Sequence, residues 1–444
     1  MTQEEAIRRE NRQLRAKEVK KMGRQKSFIC IDLKSFYASV ECVERGLDPF
    51  KTNLVVADPT RSQSTICLAI TPAMKKLGVK NRCRIHEIPA GIEYITAMPR
   101  MQLYIDYSAR IYSIYLRYIS KEDIHVYSID ECFMDVTNYL SLYHMTEKEM
   151  AVELMDAVMK ETGITATAGI GTNLYLAKVA MDIVAKHVED HIGILNEISY
   201  RQQLWDHSPL SDFWRIGSRT ERKLAGYGIH TMGDIAYTSV TSEDWLYKMF
   251  GIDAELLIDH AWGLESCDIH DIKNYHTEEH SLSNGQVLMR NYSFEEAAVV
   301  VREMTDVLVL DLVSKGLITG SVTLWIAYDH RYERPSSHGT VRLTSLTNSS
   351  STIMDEVNKL YQKITDRHTG IRRIEICANR VMPEGYLQYD LFTDPAAVEK
   401  EKNLQQAILD VKKRYGKNAI MRGANLLDCS TYRERNNQIG GHRA

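Results

Sequence analysis

The pattern of apolar and polar residues divides the first half of the chain into strand-like and helix-like segments. A short apolar run, S-F-I-C-I-D at residues 27–32, is followed by a segment with apolar residues at helical spacing. Short apolar runs favour strands, whereas apolar residues three and four apart favour helices. As far as about residue 195 the order is strand, helix, interruption, helix, strand, strand, helix, strand. This order predicts a β-α-β-β-α-β unit with an insertion between about Leu47 and Met98.

The same order of elements returns between about residues 275 and 381, after a compact helical segment from about Tyr200 to Asp268. The predicted elements are strand Glu279–Arg290, helix Phe294–Val313, strands Ile318–Tyr328 and His338–Leu343, helix Thr352–Thr365 and strand Arg372–Arg380. We therefore expect a second domain that repeats the topology of the first, but without acids at its strand ends.

Length and composition describe an ordinary globular chain of several domains. It has 444 residues, of which 44% are hydrophobic and 26% charged. No apolar run approaches the roughly 20 residues of a membrane span, and the N-terminus lacks the apolar region of a secretory signal. The cysteines show no ligand-like spacing, and Cys30 and Cys132 alternate with apolar residues. We expect reduced core cysteines, no membrane partner and a cytoplasmic protein.

The charge distribution leaves nucleic-acid binding open. The formal net charge of −4 counts against it. Both ends of the chain are nevertheless basic, since residues 1–26 hold nine Lys or Arg against four Glu, and residues 399–444 hold ten against five acids. Such a surplus indicates either a solvated face or a contact with nucleic acid.

The candidate chemistry centres on the segment Tyr127–Thr137, Y-S-I-D-E-C-F-M-D-V-T. Its pattern predicts a tight hairpin with the adjacent acids Asp130 and Glu131 at the tip, which alone would indicate only a solvated turn. A third acid, Asp32, ends the strand at residues 27–32. If the two strands are neighbours, three carboxylates converge, and at ~4–6 Å they repel one another unless a cation lies between them. Oxygen ligands without His or Cys favour Mg²⁺, so the sequence predicts two-metal phosphoryl or nucleotidyl transfer.

A second motif lies in the helical segment. Residues 213–229, F-W-R-I-G-S-R-T-E-R-K-L-A-G-Y-G-I, indicate two helices joined by a glycine-bearing hairpin. Such a hairpin can direct backbone N–H groups at a phosphate, and Arg219, Arg222 and Lys223 add positive charge. The turn could equally be a plain connection.

Together these features resemble the Y-family DNA polymerases, the UmuC/DinB-type lesion-bypass enzymes, and most closely the UmuC-like branch of Gram-positive bacteria and their plasmids. The resemblance runs from Phe28 to nearly the end of the chain. It depends on I-D-L-K-S-F-Y-A-S-V-E, Y-S-I-D-E-C-F-M-D-V, T-A-G-I-G-T-N-L-Y-L-A-K-V-A, the hairpin segment and Q-Y-D-L-F, in this order.

The resemblance implies an α+β, multidomain, right-hand polymerase. A charged N-terminal arm (1–26) would precede a ferredoxin-like palm (27–50 and 96–199) that is interrupted by small fingers (51–95). A helix-hairpin-helix thumb (200–270), a ferredoxin-like little finger (275–382) and a C-terminal tail with a clamp-binding motif (383–444) would follow.

Carried over position by position, the resemblance gives the acids separate roles. Asp32 and Asp130 match the metal-bridging aspartates, and Glu131 matches the third acid, near the primer terminus. The carbonyl of Leu33 matches a further metal ligand. Lys34 stands where the family often has another acid, so metal binding depends on the three acids that remain.

The nucleotide site is implied in the same way. Tyr37 matches the steric gate that leaves no room for a ribose 2′-hydroxyl. Phe36 would pack behind the gate, and a buried helix residue is the simpler interpretation of it. Lys75 and Lys186 match residues that contact the triphosphate, whereas Pro72 replaces a tyrosine of the family.

The thumb and the tail carry the implied binding residues. Gly217, Arg219 and Lys223 match the phosphate-binding hairpin, although Arg215 stands where a glycine is common. The residues that match the motif for the sliding clamp are Gln388, Leu391 and Phe392.

The implied activity is template-directed, low-fidelity lesion-bypass synthesis with two Mg²⁺ ions and without a proofreading exonuclease. Primer-template DNA, dNTPs and the sliding clamp would be the partners, the enzyme would be nucleoid-associated, and the need for an accessory SOS subunit or a recombinase filament stays open. Two alternatives remain. A nucleotide cyclase would need no thumb, little finger or clamp motif, and a non-catalytic, clamp-tethered DNA-binding protein would need no acids.

Overall fold

The computed structural model describes residues 26–61, 64–275, 281–386 and 394–444. The described residues form two compact units, which divide between residues 276 and 277. The boundaries of palm, fingers, thumb and little finger stay predictions. Among the described helices, none is long and apolar enough to cross a membrane.

The first unit contains two sheets and twelve described helices. The strands are β1 (Phe28–Leu33), β2 (Leu54–Val56), β3 (Ala69–Ile70), β4 (Ile95–Ala97), β5 (Ile124–Val126), β6 (Glu131–Asp135), β7 (Ala166–Gly171) and β8 (Ile192–Leu195). The helices are α1 (Phe36–Val43), α2 (Pro72–Lys76), α3 (Met101–Tyr115), α4 (Tyr139–Tyr143), α5 (Glu147–Thr162), α6 (Leu174–Val179), α7 (Glu197–Leu204), α8 (Ser218–Ala225), α9 (Met232–Thr241), α10 (Glu243–Phe250), α11 (Asp253–Trp262) and α12 (Ile269–Asn274).

The larger sheet has the strand order β5-β6-β1-β7-β8. β1 lies between two antiparallel neighbours, β6 and β7, and β8 adds a parallel edge strand. With α3 and α5, the first four of these strands form the predicted ferredoxin-like unit. Cys30 and Cys132 are buried, and none of the eight cysteines, all of which lie within the described residues, forms a disulfide. The predictions of the ferredoxin-like unit and of the buried Cys30 and Cys132 are confirmed.

The insertion forms a small sheet, β3-β2-β4, with α2 beside it. It has its own buried apolar cluster, which includes Val55, Ile70, Met74 and Ile85. Helices α7 to α11 enclose a further core, which includes Tyr200, Phe213, Leu224, Ile235 and Leu246. The first core lies within the predicted fingers, whereas the second also includes Tyr175, Val179 and Leu195 and so continues into the predicted palm.

The second unit contains β9 (Ser281–Tyr292), β10 (Leu317–Tyr328), β11 (Ser337–Thr347), β12 (Ile371–Asn379) and β13 (Met382–Pro383), with α13 (Phe294–Ser314) and α14 (Ser350–Ile364). Every predicted element is present within a few residues. The strand order is β11-β10-β12-β9, however, so β12 and not β9 lies inside the sheet. The prediction that this unit repeats the topology of the first is therefore wrong in its strand order. Residue patterns encode the order of elements along the chain, but not the sheet edge at which each strand joins.

Within the second unit, the C-terminal segment is folded against α13. It consists of α15 (Pro395–Tyr415), α16 (Tyr432–Asn436) and the hairpin β14 (Gln438–Ile439) and β15 (His442–Arg443). Arg422 forms an ion pair with Asp306 of α13 at 2.7 Å, and the backbone N–H of Thr431 donates to the buried Glu303 at 3.1 Å. The clamp-motif residues Gln388, Leu391 and Phe392 lie outside the described residues.

Gly169 of β7 has a structural reason to be glycine. A Cβ atom at this position would lie well inside contact distance of the Ala177 carbonyl oxygen and the Met181 amide nitrogen. The helical segment that begins with α6 therefore crosses the strand directly over this residue. Because both opposing atoms belong to the backbone, the clash could not be relieved by a side-chain movement.

We expect Gly169→Ala to destabilise the first unit by about 1–3 kcal/mol, because the helix must move away from the sheet. Gly226→Ala is the matched control, since a Cβ there meets no atom closer than 3.5 Å. Urea denaturation followed by circular dichroism compares the two. Equal urea midpoints for the two variants would show that the close contact at Gly169 does not affect the stability of the fold.

Candidate active site

The acids predicted from the sequence meet at one end of the larger sheet. Asp32 is the register partner of Glu131, and the Leu33 amide donates to the Asp130 carbonyl oxygen at 2.9 Å. The hairpin prediction and the expected pairing of its strand with β1 are thus confirmed. Burial, followed by the charges of Asp130 and Glu131, raises the pKa of Asp32 to about 7. Negative charge is therefore concentrated around Asp32.

The hairpin turn holds Asp130 by several short hydrogen bonds. The backbone N–H groups of Tyr127 and Ser128 both donate to the Glu131 carbonyl oxygen, at 3.0 and 3.1 Å. The Ser128 hydroxyl donates to Oδ1 of Asp130 at 2.6 Å. The Asp130 carboxylate therefore has little freedom to move away from Asp32.

Glu131 is engaged differently from the two aspartates. Its Oε2 accepts from the Lys178 ammonium at 3.0 Å, and its Oε1 accepts from the Cys30 thiol at 3.2 Å. Lys178 is buried and also contacts Asp182 at 3.0 Å. Burial alone would lower the pKa of Lys178, but the charges of Asp182 and Glu131 raise it well above its usual value. Glu131 is thus neutralised within the protein, whereas Asp32 and Asp130 make no salt bridge to a Lys or Arg side chain of the described residues.

The structure also tests whether a cation fits. Over the described part of the chain, no three His, Cys, Asp or Glu side chains are arranged to hold a metal ion. Glu131 is bound to Lys178 in this arrangement, and its role as a third metal ligand stays a prediction. Asp32 and Asp130 remain as two hard oxygen donors, and the raised pKa of Asp32 shows that positive charge would stabilise them. Their chemistry fits a divalent cation.

Three lysines border the acid pair. Burial, followed by the charge of Lys75, lowers the pKa of Lys34 to about 8, and Asp32 opposes this effect. Desolvation also lowers the pKa of Lys75. The charge of Asp32 opposes this shift, and repulsion from Lys186 adds to it. Lys75 and Lys186 are exposed, and Lys34 is partly exposed. The interactions connect Lys34, which directly follows β1, with Lys75 of the insertion, and Lys75 with Lys186 of the segment after α6. The three cations therefore lie near one another.

Tyr37 lies in the first turn of α1, beside the acids. Burial, followed by the charge of Asp130, raises the pKa of its hydroxyl. The ring stacks on Tyr104, with centroids 4.4 Å apart and an interplanar angle of 16°. Phe36 is only 2% exposed, which agrees with its interpretation as a packed helix residue and disfavours direct contact with a ligand.

The support behind Tyr37 was not found from the sequence. The Tyr104 hydroxyl donates to the buried Glu41 at 2.8 Å, and the guanidinium of Arg100 donates to both oxygens of the same carboxylate, at 2.9 and 2.8 Å. Glu41 lies one helical turn after Tyr37, and an acid within an apolar helix face is the only signal of this network in the sequence. The hydrogen bonds fix the Tyr104 ring, on which the Tyr37 ring rests.

The glycine hairpin of the helical segment is present. Gly217 is the N-cap of α8, and a Cβ there would meet no atom within 4 Å. Arg219 is exposed, whereas the Lys223 ammonium donates to the Met249 carbonyl oxygen at 2.5 Å. Arg215 adopts a left-handed backbone conformation with φ of 70°, in which a glycine would be favoured. Their roles in ligand binding stay predictions.

Two family models match the chain. Residues 31–182 match the impB/mucB/samB family, and residues 279–391 match the C-terminal domain of the same family. The first match includes Asp32, Asp130 and Glu131, and the second match ends at Leu391.

Similar proteins extend over nearly the whole chain. "DNA polymerase IV 2" of Bacillus subtilis is 30% identical over 425 residues, which cover 95% of this chain and 100% of that protein. "Putative UV-damage repair protein UvrX" of the same organism is 29% identical over 422 residues, 95% of this chain and 98% of that protein. Among solved structures, a Y-family DNA polymerase chimera, Dbh-Dpo4(243-245)-Dbh, matches with a TM-score of 0.61 and 22% identity over 80% of this chain and 99% of that one.

We expect Asp130→Asn to lower the pKa of Asp32 from about 7, because it removes a neighbouring negative charge and leaves the burial unchanged. Carboxyl ¹³C NMR titration of aspartate-labelled protein in EDTA measures this value, and Asp32→Asn assigns the resonance. Asp135→Asn, at the far end of β6, is the control. An Asp32 pKa near the usual value of about 4 in the wild-type protein would contradict the proposed concentration of charge.

Proposed function

The chain belongs to the Y family of DNA polymerases, the impB/mucB/samB family, and we propose that Asp32 and Asp130 form its catalytic centre. It is a template-directed DNA polymerase of the lesion-bypass type, with primer-template DNA and dNTPs as substrates. The observation that supports this assignment best is the convergence of the two carboxylates at the end of β1. Neither is neutralised by a salt bridge within the described residues, whereas neighbouring Glu131 is paired with Lys178.

Mg²⁺, when bound, would make the primer 3′-hydroxyl more acidic and stabilise charge on the attacking and leaving oxygens. Asp32 and Asp130 are the residues that would hold it, with the Leu33 carbonyl and Glu131 as further predicted ligands. The short hydrogen bonds of the hairpin turn keep Asp130 in place before substrate arrives. Such preorganisation lowers the reorganisation that is needed at the moment of reaction.

Lys34, Lys75 and Lys186 would bind the triphosphate of the incoming nucleotide. Desolvation and repulsion between neighbouring cations disfavour the charged forms of Lys34 and Lys75, whose pKa values are lowered. A polyanion bound beside them would reverse this effect. Lys75 acts as a point charge, without the forked hydrogen bonding of an arginine, and Pro72 offers no hydroxyl. Lys34 would compensate for part of this loss.

Tyr37 is the proposed steric gate. Its ring rests on Tyr104, which is held in turn by Glu41 and Arg100. A gate needs a rigid support, because a ring that could tilt away would admit a 2′-hydroxyl. Phe36 would pack behind the Tyr37 ring.

The remaining contacts follow from the family. Gly217, Arg219 and Lys223 would grip the DNA backbone. Gln388, Leu391 and Phe392 would dock on the sliding clamp, after the last strand of the sheet. Nucleoid association and participation of an accessory SOS subunit or a recombinase filament stay predictions.

We expect Asp130→Ala to lower primer extension by about 10³-fold or more, because transition-state stabilisation by the bound cation is lost. Binding of primer-template DNA should stay close to that of the wild type. Gel-based extension and fluorescence anisotropy measure the two quantities, with Asp156→Ala on the exposed face of α5 as the control. Extension within tenfold of the wild type would refute the assignment of the active site.

We expect Tyr37→Ala to raise the ratio of ribonucleotide to deoxyribonucleotide incorporation by about tenfold or more, because space opens beneath the sugar. Single-nucleotide incorporation of CTP and dCTP opposite template G measures the ratio. Tyr37→Phe keeps the ring and should retain the selectivity of the wild type. An unchanged ratio in a folded Tyr37→Ala protein would leave Tyr37 with a packing role alone.

The double variant Leu391→Ala/Phe392→Ala should lose stimulation by the sliding clamp and keep distributive synthesis on short primers. Burial of the two side chains contributes ~3–6 kcal/mol before ordering costs, enough for a transient contact. Titration of the clamp onto each variant measures the affinity. Leu426→Ala/Leu427→Ala removes two exposed leucines of the C-terminal segment and is the control. Wild-type affinity of the first variant would place the contact elsewhere.

A further inference from the structure

Tyr127 belongs to the same turn as the catalytic carboxylate Asp130. Its backbone N–H donates to the Glu131 carbonyl oxygen at 3.0 Å, which closes the hairpin between β5 and β6. The Tyr127 ring packs edge-on against Phe133 of β6, with centroids 5.7 Å apart. The side chain nevertheless remains 46% exposed. A movement of this ring would therefore act directly on the turn that positions Asp130.

The Tyr127 hydroxyl is tied to the helical segment. Nε1 of Trp214 donates to it at 3.1 Å, and the two rings meet edge to face with centroids 5.8 Å apart. Trp214 also packs against Phe133 at 5.9 Å. Polar and apolar contacts thus join the acid-bearing hairpin to the start of the thumb.

Trp214 lies within the turn that leads into the proposed DNA grip. The Ile216 N–H donates to the Phe213 carbonyl oxygen at 3.1 Å, so the turn is closed around Trp214 and Arg215. The Arg215 guanidinium lies 5.6 Å from the centre of the Trp214 ring, and Gly217 then caps α8. A DNA phosphate bound at the N-terminus of α8 would therefore hold the backbone turn that carries Trp214, the residue whose side chain contacts Tyr127.

From these contacts we propose that Trp214 is a positioning residue: its indole N–H, through the Tyr127 hydroxyl, couples the grip of the thumb on the primer-template to the placement of Asp130. Neither side chain touches the reacting atoms. The Trp214–Tyr127 pair aligns the Asp130 carboxylate when DNA occupies the glycine hairpin of the thumb. This inference rests on the proposed function.

Removal of the hydrogen bond, with an aromatic ring kept at each position, tests the proposal. Tyr127→Phe and Trp214→Phe each remove one partner and keep an aromatic ring, and the double variant completes a double-mutant cycle. At saturating DNA and dNTP, each single variant should slow extension about three- to tenfold, and the double variant should be no slower than the slower single variant. The Kd for DNA should stay within twofold of the wild-type value. The urea midpoint should stay within error of the wild-type midpoint. A purely structural role would instead change stability.

The controls separate this proposal from the assignment of function. Trp245→Phe removes an indole that packs against Tyr227 in the same helical segment, and it should leave the rate unchanged. If the wild-type protein does not extend primers, the proposed function itself fails. If the wild type extends primers and both single variants match its rate, or if their effects are additive, only the coupling is refuted. Should Trp214→Phe fold poorly, Tyr127→Phe alone still tests the required loss of rate.

Discussion

Electrostatic repulsion at the end of β1 is the constraint on which the rest of the site depends. The antiparallel register places Glu131 opposite Asp32, and the Leu33–Asp130 backbone hydrogen bond brings a third acid to the same place. The protein neutralises one of them through Lys178. The other two have no salt bridge within the described residues, and their mutual repulsion adds to the effect of burial that raises the pKa of Asp32.

The imbalance has a consequence for stability. Because folding raises the pKa of Asp32 to about 7, the folded state binds a proton more tightly than the unfolded state does. The stabilising effect of this proton is fully present below the unfolded pKa of about 4 and is lost as the pH rises through 7. A bound cation would take the place of the proton at neutral pH. On the proposed function, the fold would therefore be less stable at neutral pH without the cation than with it.

Close packing supports the arrangement from behind. Gly169 lets the helical segment cross β7 in backbone contact, and this segment carries Lys178 to Glu131. On the other side, Glu41 and Arg100 hold Tyr104 against Tyr37. The acids and the ring beside them thus have rigid neighbours, as the proposed steric gate would require.

The sequence predicts the acid-bearing hairpin and the elements of both sheets because each depends on local periodicity and on residues that are close along the chain. It does not predict contacts between distant residues. The strand order of the second sheet, the pairing of Lys178 with Glu131 and the docking of Thr431 on Glu303 all join positions that no local pattern connects. The resemblance to a family supplies roles for Asp32 and Tyr37, but not the support network behind them.

Binding of Mn²⁺ in place of Mg²⁺, followed by electron paramagnetic resonance in the presence of primer-template and a non-hydrolysable dNTP, tests the central claim most directly. We expect Asp32→Asn to weaken Mn²⁺ binding by about tenfold or more, because one of two uncompensated carboxylates is lost. Mn²⁺ affinity equal to that of the wild type would contradict it, since the end of β1 could then not be the metal site.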